Sequence, residues 1–542
     1  MPMERQLMTP ITIHVVFNAH LDPIWMWPWT SGLDEAIATS RSACDRLDAH
    51  PELFFTQGEA WTFAMIERAD PALFRRIRSF VASGRWEIVN GWWTQPDCNF
   101  PTADGLRRQL STGLAWVKDR FGVTPRCGFN PDSFGHCAIL PDLMREQGQD
   151  RYVFMRPGEW ENRRRGRLFT WRSRAGSSPV TAFHIGGTYG NGTSTSGINI
   201  EALAWATRDL PPGAQHTMAF CGVGNHGGGP TEKLVRWIAA NRDVIPGARL
   251  EFSTCERFFS AYEKNPVPVP DVVGELQQHA IGCYSVVRSV KSAVRRAEHA
   301  LARAETVALP EECPALERAW QTVASHQFHD TLGGTCPPEA YRFVDDQLGG
   351  AAAIAEETLV YAVRRQLHAL PDDQLPRVVL ANPGRVPLAG WHEAAIYVEG
   401  PWRQGWRLID ASGRVVPFQN VHPGIGVDPG WVWNIRRILV RGEIPAGGAL
   451  VLRLDPTPGP TMTAQVQASA QCLSSTSGCS VTLDHWQAML QGSTGAAVPV
   501  ALHLLDDPTD TWSHGRDRYA DGPAQTAIWN PPVVTERGPL RA

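Results

Sequence analysis

The chain has 542 residues, 43% of them apolar and 20% charged, which is the composition of a globular protein with room for several domains and large cores. A formal net charge of -4 gives no electrostatic reason to expect a nucleic acid or an anionic membrane as a partner. The 11 cysteines are odd in number and scattered, with no Cys-x-x-Cys pair, so free thiols in a reducing cytoplasm are expected. No signal peptide or spanning helix is expected either, because the first residues, Met1 to Pro10, carry no long apolar stretch.

From residue 11 to about 262, short apolar runs alternate with amphipathic helical patterns. Seven strands are predicted at Ile11–Phe17, Leu53–Thr56, Trp86–Asn90, Arg126–Phe129, Tyr152–Met155, Thr217–Cys221 and Leu250–Phe252. Helical patterns lie between most of them, at Ala60–Ala69, Pro71–Ser83, Gly105–Phe121 and Thr231–Asn241. This alternation predicts a mainly parallel, seven-stranded sheet with helices outside. Such sheets place their sites beyond the carboxyl ends of the strands. His20 and Asp22 follow the first strand, Asp132 the fourth, Arg156 the fifth, and the Gly-rich Gly222–Pro230 loop the sixth.

Residues from about 284 to 370 read as three helices. The first carries Val286, Val287, Val290, Val294, Ala297 and Leu301 at helical spacing. The second follows Pro314 and ends near His329; the third starts near Pro338, with a possible break at Gly349-Gly350. Pro371–Pro376 reads as a linker before β-rich runs such as Val378–Ala381, Ala394–Val398 and Ile438–Val440. The expected organisation is multidomain α/β + α + β: residues 1–270 an α/β catalytic domain, 271–375 a three-helix bundle, 376–542 an incomplete β-sandwich-type domain. Thr457–Gly478 is expected to be a long loop or flexible insertion.

The most informative local pattern is His20-Leu21-Asp22. Side chains alternate along a strand, so His-x-Asp at a strand end turns one imidazole and one carboxylate toward one point. That pair suits zinc or a similar borderline divalent ion. Alone it is a weak signal, since polar residues at a strand end also meet water.

Four further segments accompany it, in this order: Pro131–His136, Gly222–Thr231, Gly274–Gln277 with Gly282–Ser285, and Gln327–Asp330. Together with His20–Trp27 they resemble the metal-dependent α-mannosidases of glycoside hydrolase family 38, over roughly residues 10 to 375. The resemblance implies a single divalent metal, zinc first and cobalt or another ion second, held by His20, Asp22, Asp132 and His329. Two carboxylates and two neutral imidazoles leave such an ion roughly neutral, with open positions for substrate oxygens. It implies Asp132 as the nucleophile of a retaining glycosidase, where the segment alone would suggest a helix cap. An oligosaccharide or glycan is the implied substrate, and a homo-oligomer is possible.

The acid/base departs from the family pattern. Asn225 stands where a carboxylic acid is expected near the Gly-rich loop; His226 is the candidate, with Asp97 and Glu275 as alternatives. Trp25 and Trp93, with Trp27 and Trp92, are candidates to line a sugar subsite, core packing being the equal alternative. Arg156 and Asp330 are assigned to substrate binding, and Asp330 and His136 also to orienting ligands. His326, one helical turn before His329, ranks below it. Arg163–Arg165 with Arg167 reads as a solvated basic loop. Asp510–Gly515 and Glu536–Leu540 resemble internal segments of the family's β-region, so a C-terminally short form is expected. The competing readings are a metal-dependent carbohydrate deacetylase and an inactive sugar-binding remnant.

Overall fold

The computed structural model describes residues 10–526 except 159–160, 162–165, 191–192, 195–196, 223–227, 369, 383, 400–406, 422–432, 458–465, 470, 484–487, 501–502, 505–511 and 513–524. The chain divides into two compact units. The first holds residues 1–302, 309–356 and 509–518; the second holds 303–308, 357–508 and 519–542. The helical segment after residue 271 therefore shares a unit with the α/β region as far as residue 302, and again from 309 to 356.

In the first unit all seven predicted strands form, within two residues of their expected ends. They are β1 (Ile11–Phe17), β2 (Phe55–Gln57), β3 (Trp86–Ile88), β4 (Cys127–Asn130), β5 (Arg151–Phe154) and, later in the chain, His216–Cys221 and Ala248–Ser253. Five more were not anticipated: β6 (Leu168–Arg172), β7 (Val180–His184), the two-residue pair β8 (Thr193–Ser194) and β9 (Gly197–Ile198), and β12 (Asp271–Val273). With these counted, His216–Cys221 is β10 and Ala248–Ser253 is β11. The single seven-stranded sheet is corrected to separate hydrogen-bonded sets, β10-β1-β11, β2-β3 and β12-β6-β7-β5-β4. All pairs in these sets are parallel except β6 with β7. The antiparallel pair is joined by the turn-rich Ser173–Pro179, a hairpin signal that the strand–helix reading passed over. Single contacts relay between the sets: Asn18 bridges Thr56 past the end of β1, and Asn90 N–H donates to Cys127 O at 2.7 Å.

β1 is buried on both faces, as a parallel strand between layers must be. Ile13, Val15 and Phe17 enter one core with Leu47, Phe63 and Leu250, whereas Val16 enters another with Phe129, Val153 and Phe220. The helices follow their local signals: α1 (Trp29–Ala49), α2 (Ala60–Ala69), α3 (Pro71–Ala82) and α4 (Ala103–Phe121). α4 starts where Thr102 Oγ1 accepts Gly105 N–H at 2.9 Å and stops at Gly122, whose φ of 73° closes the last turn. The shorter helices α5 (Leu140–Glu146), α6 (Ile200–Ala204), α7 (Glu232–Ala240) and α8 (Cys255–Lys264) complete this region.

Gly113 of α4 sits directly on the Gly91–Trp93 segment that leads into the site; a Cβ there would overlap the Trp92 backbone. Gly113→Ala is expected to destabilise the fold by about 1–3 kcal/mol or more through overpacking. A lowered urea midpoint is the readout, and an unchanged midpoint would show that the close approach is not needed.

Three longer helices follow: α9 (Arg288–Ala304), α10 (Cys313–His326) and α12 (Val344–His368), with the five-residue α11 (His329–Gly333) between the last two. Leu316, Ala319, Trp320 and Val323 form the expected buried stripe of α10. Several details differ from expectation: Val286 and Val287 precede α9, and α12 begins at Val344 after a separate turn at Pro338–Tyr341. α12 runs through Gly349-Gly350 without a break, since a glycine cost of about 1 kcal/mol is outweighed by packing of its neighbours. α10 ends at His326, and extended Phe328 (φ -50°, ψ 139°) turns the chain before His329 opens α11. No described helix is long and apolar enough to cross a membrane.

The second unit is antiparallel. One sheet contains Arg377–Ala381 and Ala449–Asp455, and another pairs Leu388–Glu399 with Trp433–Ile444. Val378, Leu452 and Leu454 of the first share a core with Ile396, Ile438 and Val440 of the second, which makes a sandwich. The expected loop Thr457–Gly478 is corrected in part, because Val466–Ala468 pairs with Cys472–Ser475 as strands. Of Asp510–Gly515 only Trp512 is described, and Glu536–Leu540 lies outside the described residues.

Candidate metal centre

Three chain segments bring their polar residues to one buried point in the first unit. Past the end of β1, Asn18 pins the backbone: its Nδ2 donates to Tyr189 O (3.0 Å) and Cys221 O (3.2 Å). His20 and Asp22 follow, 0% and 2% exposed. Past β4, Ser133 Oγ donates to Pro96 O at 2.7 Å and holds the turn that presents Asp132. At the start of α11, His329 Nδ1 lies 2.9 Å from Gln95 O. A carbonyl can only accept, so that contact places the proton on Nδ1 and leaves the Nε2 lone pair facing the site.

The facing atoms are close. His20 Nε2 is 2.8 Å from Asp22 Oδ1 and 3.7 Å from Asp132 Oδ2; His329 Nε2 is 3.8 Å from Asp22 Oδ1 and 3.6 Å from Asp330 Oδ2. The two imidazoles lie nearly parallel, with ring centres 5.5 Å apart. His20 Nε2, Asp22 Oδ1 and His329 Nε2 are buried yet make no hydrogen bond of good geometry. Buried polar atoms without partners are costly. Here they converge, and a divalent cation is the group that would satisfy them together. Ligand atoms of His20, Asp132 and His329, and again of Asp22, His329 and Asp330, lie within 4.8 Å of one another. The N and O donors fit zinc and neighbouring divalent ions.

The electrostatics match. Burial opposes ionisation of Asp132, but the Arg156 guanidinium, then His20 and His329, hold its carboxyl well below the usual range. Arg156 Nε donates to Asp132 Oδ1, and Nη1 meets His279 Nε2 at 2.9 Å; His279 Nδ1 lies 2.6 Å from Glu161 Oε1. Burial would lower the His20 imidazole, but Asp22, Asp132 and Glu59 raise it to about 9. Burial and the neighbouring His20 take His329 down to about 4. Burial and then Asp22 push the Asp330 carboxyl well above its ordinary value, and Thr335 Oγ1 donates to its Oδ1. The carboxylates thus make a potential that attracts positive charge.

The expected residues fall in several places. Asp330 sits closer to the centre than expected, in one cluster with Asp22 and His329. Trp92 is a core residue, 0% exposed, with Nε1 donating to Gln149 Oε1. Trp93 is 3% exposed and donates to Ser325 Oγ at 2.9 Å. Trp27 donates to Asp22 O at 3.1 Å, so it braces the His20–Asp22 segment, and Trp25 packs beside Ile24 and Cys336. His136 is buried between Arg156 O and Tyr152 Oη. His326 turns to Gln347 Oε1 at 2.7 Å because α10 ends there. Asp97 is buried and caps the Asn99 and Phe100 N–H groups, and Glu275 is exposed. Asn225, His226 and Arg163–Arg165 lie outside the described residues. Arg167 is not part of a solvated loop: it is 1% exposed, and its guanidinium donates to Arg208 O and Trp205 O.

Sequence reading missed four groups here. Tyr189 Oη donates to Asp132 Oδ2 at 3.3 Å. His279 and Glu161 back up Arg156. Glu59, 2% exposed, accepts from Gln95 Nε2, and burial raises its carboxyl to about 7. Glu59 also holds a left-handed backbone (φ 59°) that non-glycine residues seldom adopt. None of these carries a local motif.

The family model for the glycosyl hydrolases family 38 N-terminal domain matches residues 10–279, and that for the alpha mannosidase middle domain matches 279–365. The chain belongs to glycoside hydrolase family 38. Among curated relatives, human alpha-mannosidase 2C1 is 28% identical over 343 residues, covering 60% of this chain and 32% of that protein. An alpha-mannosidase of Saccharomyces cerevisiae is 25% identical over 365 residues, covering 63% and 33%. The match thus spans about a third of the length of these relatives. The crystal structure of an alpha-mannosidase from Enterococcus faecalis superposes with a TM-score of 0.70 at 15% identity, over 91% of this chain and 62% of that one.

Proposed function

We propose that this chain is a retaining, metal-dependent α-mannosidase acting on terminal α-linked mannose of oligosaccharides or glycans. The observation that carries the reading is the convergence of His20, Asp22, Asp132 and His329, with orphaned donor atoms, on a point beside an ionised Asp132. These four residues would hold the ion. When bound, it would supply positive charge and open positions that suit the vicinal cis hydroxyls of mannose.

The other steps belong to the chain. An Asp132 oxygen attacks the anomeric carbon and the bond to the leaving oxygen breaks, that oxygen taking a proton from the acid. Water then attacks the same carbon, gives its proton to the conjugate base, and releases Asp132. Arg156 keeps the nucleophile charged and aimed, with His279 and Glu161 fixing the guanidinium. His226 is the proposed acid/base. Asp97 is a weaker alternative, since its carboxylate is committed to two backbone N–H groups. Arg156 and Asp330 would meet sugar hydroxyls, and Trp25 would border the subsite. A cytoplasmic location, a homo-oligomer and the division at residues 270 and 375 belong to the same proposal.

Purified protein should release aryl alcohol from an aryl α-mannoside, lose that activity to a chelator, and regain it with zinc or cobalt. Acetate release from an acetylated sugar without mannoside cleavage would favour a deacetylase. Metal and mannose binding without turnover would favour an inactive remnant.

A further inference from the structure

We infer that α9 carries an anion-binding groove, distinct from the metal centre, that takes a phosphoryl or carboxylate group borne on a sugar. The groove encloses about 600 Å³; Phe100 and Tyr284 form one wall, and Arg288, Lys291, Arg295 and Arg296 of α9 the other. Residues 288, 291 and 295 recur at helical spacing and share one face, with 296 beside it. Like charges at that spacing repel one another. In a chain of net charge -4, four cations around one concavity form a local field of the opposite sign, which focuses on an incoming anion.

Two buried carboxylates offset part of this charge, Glu298 pairing with Arg295 and Asp97 acting on Lys291, and leave Arg288 and Arg296 without a carboxylate among the described residues. Glu298 is buried, accepts Thr102 N–H at 3.1 Å and Gln327 Nε2 at 2.7 Å, and is 3.9 Å from Arg295. Asp97 lies in the buried shell near Lys291, with its Oδ1 on the Asn99 and Phe100 N–H groups. Lys291 is 5% exposed, and its Nζ donates to two backbone carbonyls, Val286 O at 2.6 Å and Gly333 O at 3.3 Å, leaving a third N–H. Burial lowers its pKa, a penalty that a bound anion would offset. Arg288 and Arg296 are exposed and form no ion pair among the described residues. Guanidinium forks suit the paired oxygens of phosphate or carboxylate.

The second wall argues for more than a bare ion. The Arg295 guanidinium lies over the Phe100 ring, 5.1 Å from its centre, and donates to Phe100 O, so the ring is held rigidly. Tyr284 is fixed through its hydroxyl, which accepts from Asn99 Nδ2 at 2.6 Å. Two fixed aromatic rings beside four cations match an anion carried on a ring with an apolar face. That the ring is a sugar rests on the glycosidase reading; that the groove takes an oxyanion does not.

Calorimetric titration of the full chain with inorganic phosphate, mannose 6-phosphate and mannose tests this. Both phosphates should bind, and the double variant Arg288→Gln/Arg296→Gln should weaken that binding at least about tenfold. Circular dichroism should show an unchanged fold in that variant, since both side chains are exposed. Tighter binding of mannose 6-phosphate than of phosphate would assign the anion to a sugar; equal binding would support a groove for the free oxyanion and remove the sugar. No phosphate binding, or mannose 6-phosphate binding that the double variant leaves unchanged, would overturn the groove.

Discussion

Asp132→Asn should lower turnover of an aryl α-mannoside by about 10³-fold or more, which is the scale of removing a covalent nucleophile. The amide fills the same volume but cannot form the glycosyl bond, and it no longer carries the charge that Arg156 and the two histidines favour. Because Asp132 is also a proposed ligand, lost activity alone would leave two explanations. A fluorinated α-mannosyl donor that forms the intermediate faster than water clears it separates them. In the wild-type protein the peptide containing Asp132 should gain the mass of one fluorinated hexosyl group. Its absence from folded, metal-loaded protein that still turns over mannoside would remove Asp132 from the role. The variant also leaves Arg156 without its carboxylate; that side chain is 30% exposed, so water relieves part of the cost and the fold should survive.

His329→Ala should weaken zinc binding by more than about 100-fold, beyond the effect usual for residues that only support a ligand. The substitution removes both the Nε2 lone pair at the centre and the Nδ1–H contact to Gln95 O. The wild-type protein should be more stable with the ion than without it, by about 4 kcal/mol when free ion is 1,000 times its dissociation constant. At the same free ion the variant should lose about 2.7 kcal/mol or more of that increment. The physical source is the carboxylate group: Asp22, Asp132 and Asp330 lie together around two buried imidazoles, and a divalent cation offsets their repulsion. Scanning calorimetry with and without chelator reads the difference. Equal melting temperatures in zinc, in cobalt and in chelator would refute a metal at this point.

Much of the scaffold was legible because it is encoded locally. The apolar run Ile11–Phe17, buried on both faces, and the three-to-four-residue spacing of Leu316, Ala319, Trp320 and Val323 are properties of a few consecutive residues. The same locality explains why His20 and Asp22 could be assigned to one point, and why Asp132 and Arg156 could be placed at strand ends. Resemblance of the short motifs added His329, which no periodicity would have singled out.

What the sequence by itself determined was thus the seven strands it named, to within two residues of their ends, the longer helices, and the chemical types that gather past the strand ends. Tertiary structure decided which of those groups touch. Arg156 meets Asp132 because β5 lies beside β4. His329 is oriented by Gln95, 234 positions away, and Arg156 is braced by His279, 123 positions away. His326 leaves the site because one extended residue, Phe328, ends the helical phase that would have carried it there. Spacing along the chain fixes direction only within an element, whereas contact between elements depends on strand order, helix ends and close packing of the whole core.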